Sequence, residues 1–257
     1  MLRAGMNSSL SETLTLLKLW GKWLLFPGLD LHTRCRYRFL PRFFQPGPVD
    51  TLDAGFGNGA LAYAAFKLGN RVLGVTKDPE EACKARALFS LIGTDTERLN
   101  FEICNLYDLA HLGRKFDQII CSETLEHIAQ DHVVIGHFFN LLRKDGVLHL
   151  CCPFAFHPDH RLGRLNGLED GGHVRDGYTF ESYQALLQPA GFDIVKMVGL
   201  GSPFLVKLDK LIRQISHSKG DMAALPVFLL TWPLQYFDDL TQDEPYSLYV
   251  QAIKRST

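Results

Sequence analysis

From residue 47 onward, short apolar runs alternate with stretches of helical periodicity. Residues 49–54 read as a buried strand that runs into glycines 55, 57 and 59 and then an Ala-rich helix. Arg71–Thr76 is the next strand-like run, and Asp78, Pro79, Glu80 and Glu81 after it have the make-up of a helix start. Residues 99–104 and Phe116–Ser122 predict a third and a fourth strand. Residues 141–150 predict a helix closed by Gly146 and then a fifth strand, with Phe192–Leu200 and residues 246–253 as the sixth and last. Strand and helix in alternation imply an α/β chain with a largely parallel sheet. Ahead of it, Leu10, Leu14, Leu17 and Leu24 make a helical stripe, with Ser9 and Glu12 at capping-box spacing. The aromatic flank of Trp20, Trp23 and Phe26 suits either a bilayer surface or a lid over the site, and the lid is the reading taken here.

The glycine turn carries the first chemical signal. Glycines 55, 57 and 59 let the backbone bend sharply and approach a ligand, while Asp53 at the strand end can accept a hydrogen bond from a cationic group. The spacing is D-x-G-x-G-x-G rather than the G-x-G-x-x-G of a dinucleotide fold. A second cluster, Glu123, Glu126 and His127, follows the fourth strand as E-x-x-E-H. A histidine beside carboxylates makes a good general base, so His127 is the first catalytic candidate, with Glu123 beside it.

Composition narrows the class. With 257 residues, 46% hydrophobic and 21% charged, the chain can bury one full α/β core. A formal net charge of -1 argues against a nucleic-acid coat. Cysteines 35, 83, 104, 121, 151 and 152 have no C-x-x-C spacing and several fall in predicted strands, which suits reduced thiols and a cytoplasmic setting. The opening residues lack the apolar core and cleavage site of a signal peptide, and residues 225–237 are too short and too interrupted by Pro226 and Pro233 to span a bilayer.

Together the glycine turn, the E-x-x-E-H cluster and the run from Leu141 to Leu150 resemble the class I S-adenosylmethionine-dependent methyltransferases over about residues 47–200 plus the last strand. The resemblance implies a Rossmann-like doubly wound sheet of seven strands, the last antiparallel. It further implies that S-adenosylmethionine is held by Asp53, Gly55, Gly57, Asn58 and Gly59, by Thr76, by Asn105 and Leu106, and by Glu123 at the border of the pocket. Many members carry an acid where Thr76 stands. The cyclopropane synthase and tocopherol methyltransferase branches carry Thr, with a Gln five positions on that shares the ribose; here that position is Glu81. Glu81 is open between that role and the reciprocal partner of the helix cap, and Asn105 between adenine contact and a turn.

The ubiquinone O-methyltransferases and small-RNA 2′-O-methyltransferases have a similar E-x-x-E-H arrangement that binds a divalent cation with a further histidine. This implies Glu123, Glu126, His127 and His173 as ligands for Mg, Mn or Zn. Against it stands a metal-free reading, preferred here, in which Glu126 caps the next helix and His127 packs beside the cofactor.

The expected organisation is a helical lid at 1–46 and a methyltransferase domain at 47–257, with insertions at 154–177 and 202–240. The first insertion reads as a mobile polar cover, its H-x-x-H pair of His157 and His160 solvated beside Arg161 and Arg164. The second reads as an apolar wall. Arg34, Arg36, Arg38 and Arg42, with His32 and Tyr37, read as a solvated helix face, with an anion grip as the alternative. The expected activity is O-methylation of a small-molecule or lipid-linked acceptor. C-methylation and a non-catalytic binding module are the rivals, RNA and peripheral membrane contact are disfavoured, and oligomeric state is not legible.

Overall fold

The computed structural model describes residues 19–21, 23–160, 165, 167–237 and 245–255. The stripe of Leu10, Leu14 and Leu17, the Ser9 and Glu12 pair, Arg161, Arg164 and the end of the second insertion lie outside the described residues.

Seven strands form one sheet: β1 (Asp50–Ala54), β2 (Arg71–Thr76), β3 (Leu99–Ile103), β4 (Phe116–Ser122), β5 (Leu142–Pro153), β6 (Phe192–Leu200) and β7 (Ser247–Lys254), in the order β3-β2-β1-β4-β5-β7-β6. The pairings from β3 through β5 are parallel, and β7 runs antiparallel between β5 and β6. β1 is buried from Thr51 to Ala54 and β5 from Val147 to Pro153, as strands covered on both faces must be. One face packs Leu52, Ile119, Leu148 and Val250 against Phe138 and Tyr183. The other packs Val72, Ile120, Cys151 and Tyr249 against Phe39, Phe89 and Phe101. The order reverses between β1 and β4, so the chain leaves their carboxyl ends in opposite directions and opens a crevice there.

The helices follow their local signals. α1 (Leu31–Phe39) is capped by Asp30, whose carboxylate accepts from Thr33 N at 2.6 Å. α2 (Ala60–Lys67) begins at Gly59, and α3 (Pro79–Leu91) has Asp78 as its N-cap and Pro79 in its first turn. α4 (Asp131–Leu141) is followed by α5 (Phe180–Leu187), which opens on a capping box of Thr179 and Ser182. α6 (Pro203–Lys219) and α7 (Asp221–Thr231) form a helical hairpin between β6 and β7.

The expected helix end at Gly146 is wrong. α4 stops at Leu141 and β5 starts at once, with a register break between the Phe116–Leu142 and Gln118–Val147 pairs that loops out Arg143–Gly146. Pairing of Leu142 with β4 and the Arg143 bridges to Asp50 and Asp117, both 2.8 Å, hold that excursion to the sheet. Tertiary hydrogen bonds here outweigh the helical periodicity.

Cys121, Cys151 and Cys152 are buried in strands as free thiols. Trp23 and Phe26 pack on Tyr63 and Phe89, while Trp20 and Leu24 face outward. Among the described residues no helix is long and apolar enough to cross a membrane.

Candidate functional site

The crevice at the β1/β4 reversal holds two adjoining cavities. One, of about 240 Å³, is lined by Arg36, Asp53, Gly55, Gly57, Asn58 and Glu123, and the other, of about 300 Å³, by Thr76, Glu81, Asn105, Leu106, His127 and Glu169. Gly55, Gly57 and Glu123 line both, so the glycine turn is the sill between them. Gly55 has φ +78°, and a Cβ there would stand 2.4 Å from Thr124 Oγ1. Gly57 has φ +54°, and a Cβ added there would meet nothing within 4 Å, which leaves its surface open toward a ligand.

In the first cavity Asp53 is 2% exposed and its Oδ2 has no partner among the described residues. Burial pushes its carboxyl up to about 7, against a hydrogen bond from the Ala62 amide. An orphaned buried carboxylate oxygen in a cavity calls for a cationic or donor partner. Across from it Arg36 lies 3.4 Å from Glu123, with Asp30 also near. Burial, the largest single effect, opposes the Arg36 charge, but Glu123, with help from Asp30 and nearby thiols, outweighs it and holds the guanidinium protonated. Glu123 also accepts from Ser247 Oγ at 3.3 Å and sits at φ +52°, a strained backbone for a non-glycine residue at the end of β4.

The expectation of a solvated cationic face therefore fails for Arg36. Leu31, Cys35 and Phe39 form the buried stripe of α1, and Arg36, one position beyond Cys35, is carried to the stripe's edge and into the crevice. That i, i+4 stripe was the sequence signal for it. Arg34 is also engaged, donating to Gly28 O and Leu25 O.

In the second cavity Thr76 Oγ1 donates to Glu81 Oε2 at 2.7 Å. Asp78 caps α3 by accepting from Glu80 N, so Glu81 is not the reciprocal capping partner and is turned toward Thr76 instead. Asn105 accepts from Tyr107 N at 3.1 Å, the turn geometry, while still lining the cavity beside Leu106. Asn58 is tied structurally: it donates to Pro27 O at 2.7 Å and accepts from Ala60 N at 3.0 Å. Gly59 lies under the turn against Phe89 and Phe101 and lines neither cavity.

Beyond this cavity the E-x-x-E-H segment forms a short 3-10 turn, Leu125–His127. Glu126 is 1% exposed, its carboxylate oxygens buried without a good hydrogen bond, its own backbone amide and the Cys152 thiol being the polar neighbours. Burial, reinforced by Glu123, pushes it up to about 8. It caps no helix; Gln130 precedes α4 without a side-chain cap. Glu126, His127 and His173 bring one ligand atom each within 4.8 Å of one another. His127 Nδ1 lies 2.9 Å from Gly172 O; a carbonyl only accepts, so Nδ1 carries the proton and Nε2, 3.9 Å from Glu126 Oε1, keeps its lone pair. His173 Nδ1 is buried and has no hydrogen-bond partner among the described residues. Two imidazoles and a carboxyl group, once Glu126 gives up its proton, make a donor set that fits a divalent cation. Glu123, expected among these ligands, stands outside the group, engaged by Arg36 and Ser247.

Several described residues of the segment 154–177 are tied to the rest of the fold. His157 and His160 are buried, contrary to the solvated reading, because both rings pack on Tyr246. Further along, Glu169 accepts from Tyr107 Oη and from Ala129 N at 2.6 Å, and so enters the wall of the second cavity. Such long-range partners have no local sequence signal.

A family model described as a methyltransferase domain matches residues 30–197. The mitochondrial ubiquinone biosynthesis O-methyltransferase of Bos taurus is 26% identical over 173 residues, which cover 62% of this chain and 47% of that protein. The ubiquinone biosynthesis O-methyltransferase of Haemophilus ducreyi is 35% identical over 101 residues, 38% of this chain and 43% of the relative. The matched part thus spans less than half the length of either relative. Magnesium protoporphyrin IX methyltransferase from Synechocystis, solved with bound S-adenosylhomocysteine, superposes with a TM-score of 0.54 at 17% identity, over 85% of this chain and 79% of that one. A putative methyltransferase from Bacillus halodurans gives 0.60 at 16% identity, over 86% and 99%. At such identities the structures report a shared fold.

Proposed function

The chain belongs to the class I S-adenosylmethionine-dependent methyltransferases, and from that premise we propose that it transfers a methyl group to a hydroxyl of a small-molecule acceptor by in-line displacement. The observation that carries the reading is the pair of cavities joined at the glycine turn, with a buried carboxylate oxygen that has no partner among the described residues and a largely buried guanidinium on one side, and the Thr76–Glu81 pair on the other. Those groups are complementary to an amino acid tail and to a ribose diol. S-adenosylmethionine supplies an electrophilic methyl carbon on a sulfonium.

The residues divide the work by chemistry. Asp53 receives the ammonium and Arg36 the carboxylate of the methionine portion. Glu81, with one oxygen held by Thr76, turns its other lone pairs to the ribose hydroxyls. Asn105 and Leu106 border the base. The turn backbone and Glu123 line both chambers and keep water from the reacting atoms. His127, with Nδ1 protonated against Gly172 O, offers Nε2 as the base that removes the acceptor's hydroxyl proton.

The same residues support a metal-assisted form. Glu126, His127 and His173 would hold a divalent cation, which supplies Lewis acidity that lowers the pKa of a bound hydroxyl. Glu126, neutral at ordinary pH when empty, must then give up its proton. Uptake of Zn or Mn by the purified chain should release protons and fall at least tenfold in Glu126→Gln and His173→Ala. No uptake in the wild type, together with unchanged activity under chelation, leaves His127 as an unassisted base.

O-methylation is favoured over the alternatives because the curated relatives act as ubiquinone biosynthesis O-methyltransferases by name. Calorimetry with S-adenosylhomocysteine tests the donor site, and mass spectrometry after incubation with phenol, sugar and lipid acceptors tests the reaction. Binding with no product on any acceptor would instead favour a module that keeps the fold without the chemistry.

A further inference from the structure

A third cavity, about 170 Å³, shares Arg36 and Glu123 with the first and so begins where the methionine portion would end. Apart from Pro153 at the end of β5, its remaining wall comes from parts of the chain outside the parallel strands: Asp30 and His32 before and within α1, His160 and His173 from the 154–177 segment, Arg213 on α6 and Tyr246 ahead of β7. It is built rather than accidental. Tyr246 stacks on His32 at 3.6 Å between ring centres and meets His160 edge-on at 4.3 Å. Resting on the methyl-transfer reading above, we infer that this chamber is the acceptor subsite, that it selects an uncharged hydroxylated ring, and that His160 Nε2 orients the ring by accepting a hydrogen bond from a hydroxyl other than the one His127 deprotonates.

The hydrogen-bond inventory sets the polarity of the ligand. His160 is 5% exposed, and its Nδ1 lies 2.9 Å from Phe154 O, so the proton sits on Nδ1 and the lone pair on Nε2. That Nε2 is buried and has no partner among the described residues. A lone pair in this position needs an O–H or N–H donor, which a methyl ether, a ketone or a carboxylate lacks. Burial holds His32 at about 3 and lowers His160 as well, so both rings are neutral near pH 7.

Charge excludes an anion. The lining carries two guanidiniums and two carboxylates, and each guanidinium is already answered: Arg36 by Glu123 at 3.4 Å, Arg213 by Asp30 at 3.2 Å. Asp209, behind the wall, takes a further bond from Arg213 and one from Leu31 N at 2.8 Å. With Arg36 shared between Glu123 and the donor's carboxylate and Arg213 held by Asp30, no surplus positive charge is left for a phosphate or carboxylate on the acceptor, and each carboxylate of the lining already has its cation. The aromatic rings of Tyr246 and the histidines supply flat walls for a planar ring.

Phenol, anisole and benzoate make a probe series of one ring with a donor, an acceptor and a charge. The full chain, with histidines carrying ¹³C at Cε1, is titrated with each at millimolar concentration, both empty and with S-adenosylhomocysteine bound. Phenol should move the His160 resonance and bind about tenfold tighter than anisole, the worth of one hydrogen bond to a buried acceptor, and benzoate should bind no better than anisole. His160→Phe should erase the preference for phenol, and His160→Gln, whose amide oxygen still accepts, should retain part of it, with affinity for S-adenosylhomocysteine unchanged in both. Anisole equal to phenol, benzoate tightest, or no movement of the His160 signal with any probe overturns the assignment. The wild-type series decides even where a variant fails to fold. Absence of S-adenosylhomocysteine binding would count against the methyl-transfer reading, while the series on the empty chain still judges the subsite.

Discussion

Replacing Asp53 with Asn changes one atom and should make the empty protein more stable while weakening its ligand. Burial raises the Asp53 carboxyl from 3.8 to about 7, and at about 1.4 kcal/mol per tenfold change in proton affinity the ionised form costs up to ~4 kcal/mol of folding free energy above pH 7. The sign is that of an acid whose folded-state affinity for protons is raised: the cost is absent below the unfolded value of 3.8, grows as pH climbs, and is complete above about 7. A neutral amide in its place would carry no such cost. Urea unfolding should therefore show Asp53→Asn gaining ~2–4 kcal/mol at pH 8 but under ~2 kcal/mol at pH 5, since rearrangement and water entry reduce the full figure. Calorimetry should show S-adenosylhomocysteine bound ~10–100-fold more weakly by the variant, the loss of one charge-assisted hydrogen bond. Equal stability changes at the two pH values, or an unchanged dissociation constant, would refute the assignment of this carboxylate to the ligand's ammonium.

Arg36→Gln should weaken S-adenosylhomocysteine at least tenfold while leaving 5′-methylthioadenosine, which has no carboxylate, within about twofold; parallel losses for both in calorimetry would remove Arg36 from the tail's contacts. Gly55→Ala combines φ +78° with a Cβ 2.4 Å from Thr124 Oγ1 and should cost more than ~2 kcal/mol in urea unfolding, whereas Gly57→Ala, with open space around it, should cost only the ~1 kcal/mol of its left-handed backbone. The neutral His149 lies between Tyr249 Oη at 2.8 Å and Gln118 Oε1 at 3.1 Å, and burial lowers it to about 3. Its contribution is whole above the unfolded value of 6.5 and is lost as pH falls toward 3, so the wild-type advantage over His149→Gln, read from unfolding at pH 8 and pH 5, should shrink at pH 5. An advantage that stays constant would mean that His149 is not held neutral by the fold.

Sequence alone determined the sheet and the sill of the site, because both rest on neighbours in the chain. Alternating apolar runs fix strands, and glycines at 55, 57 and 59 fix a turn whatever packs above it. Asp78 and Pro79 likewise announced a helix start through local hydrogen bonding and a fixed φ. The excursion at Arg143–Gly146 defied periodicity because sheet pairing across 26 residues, Phe116 to Leu142, set the end of α4.

Tertiary structure decided everything that depends on distance in space. It turned Arg36 from a surface cation into the partner of Glu123, buried His160 behind Tyr246, and brought Glu126 and His127 to His173, 46 residues beyond His127. Ionisation follows the same division. The residues Asp53 and Glu126 are written in the chain, but the proton affinity of each is set by how much water the assembled fold removes and by which charges it brings near.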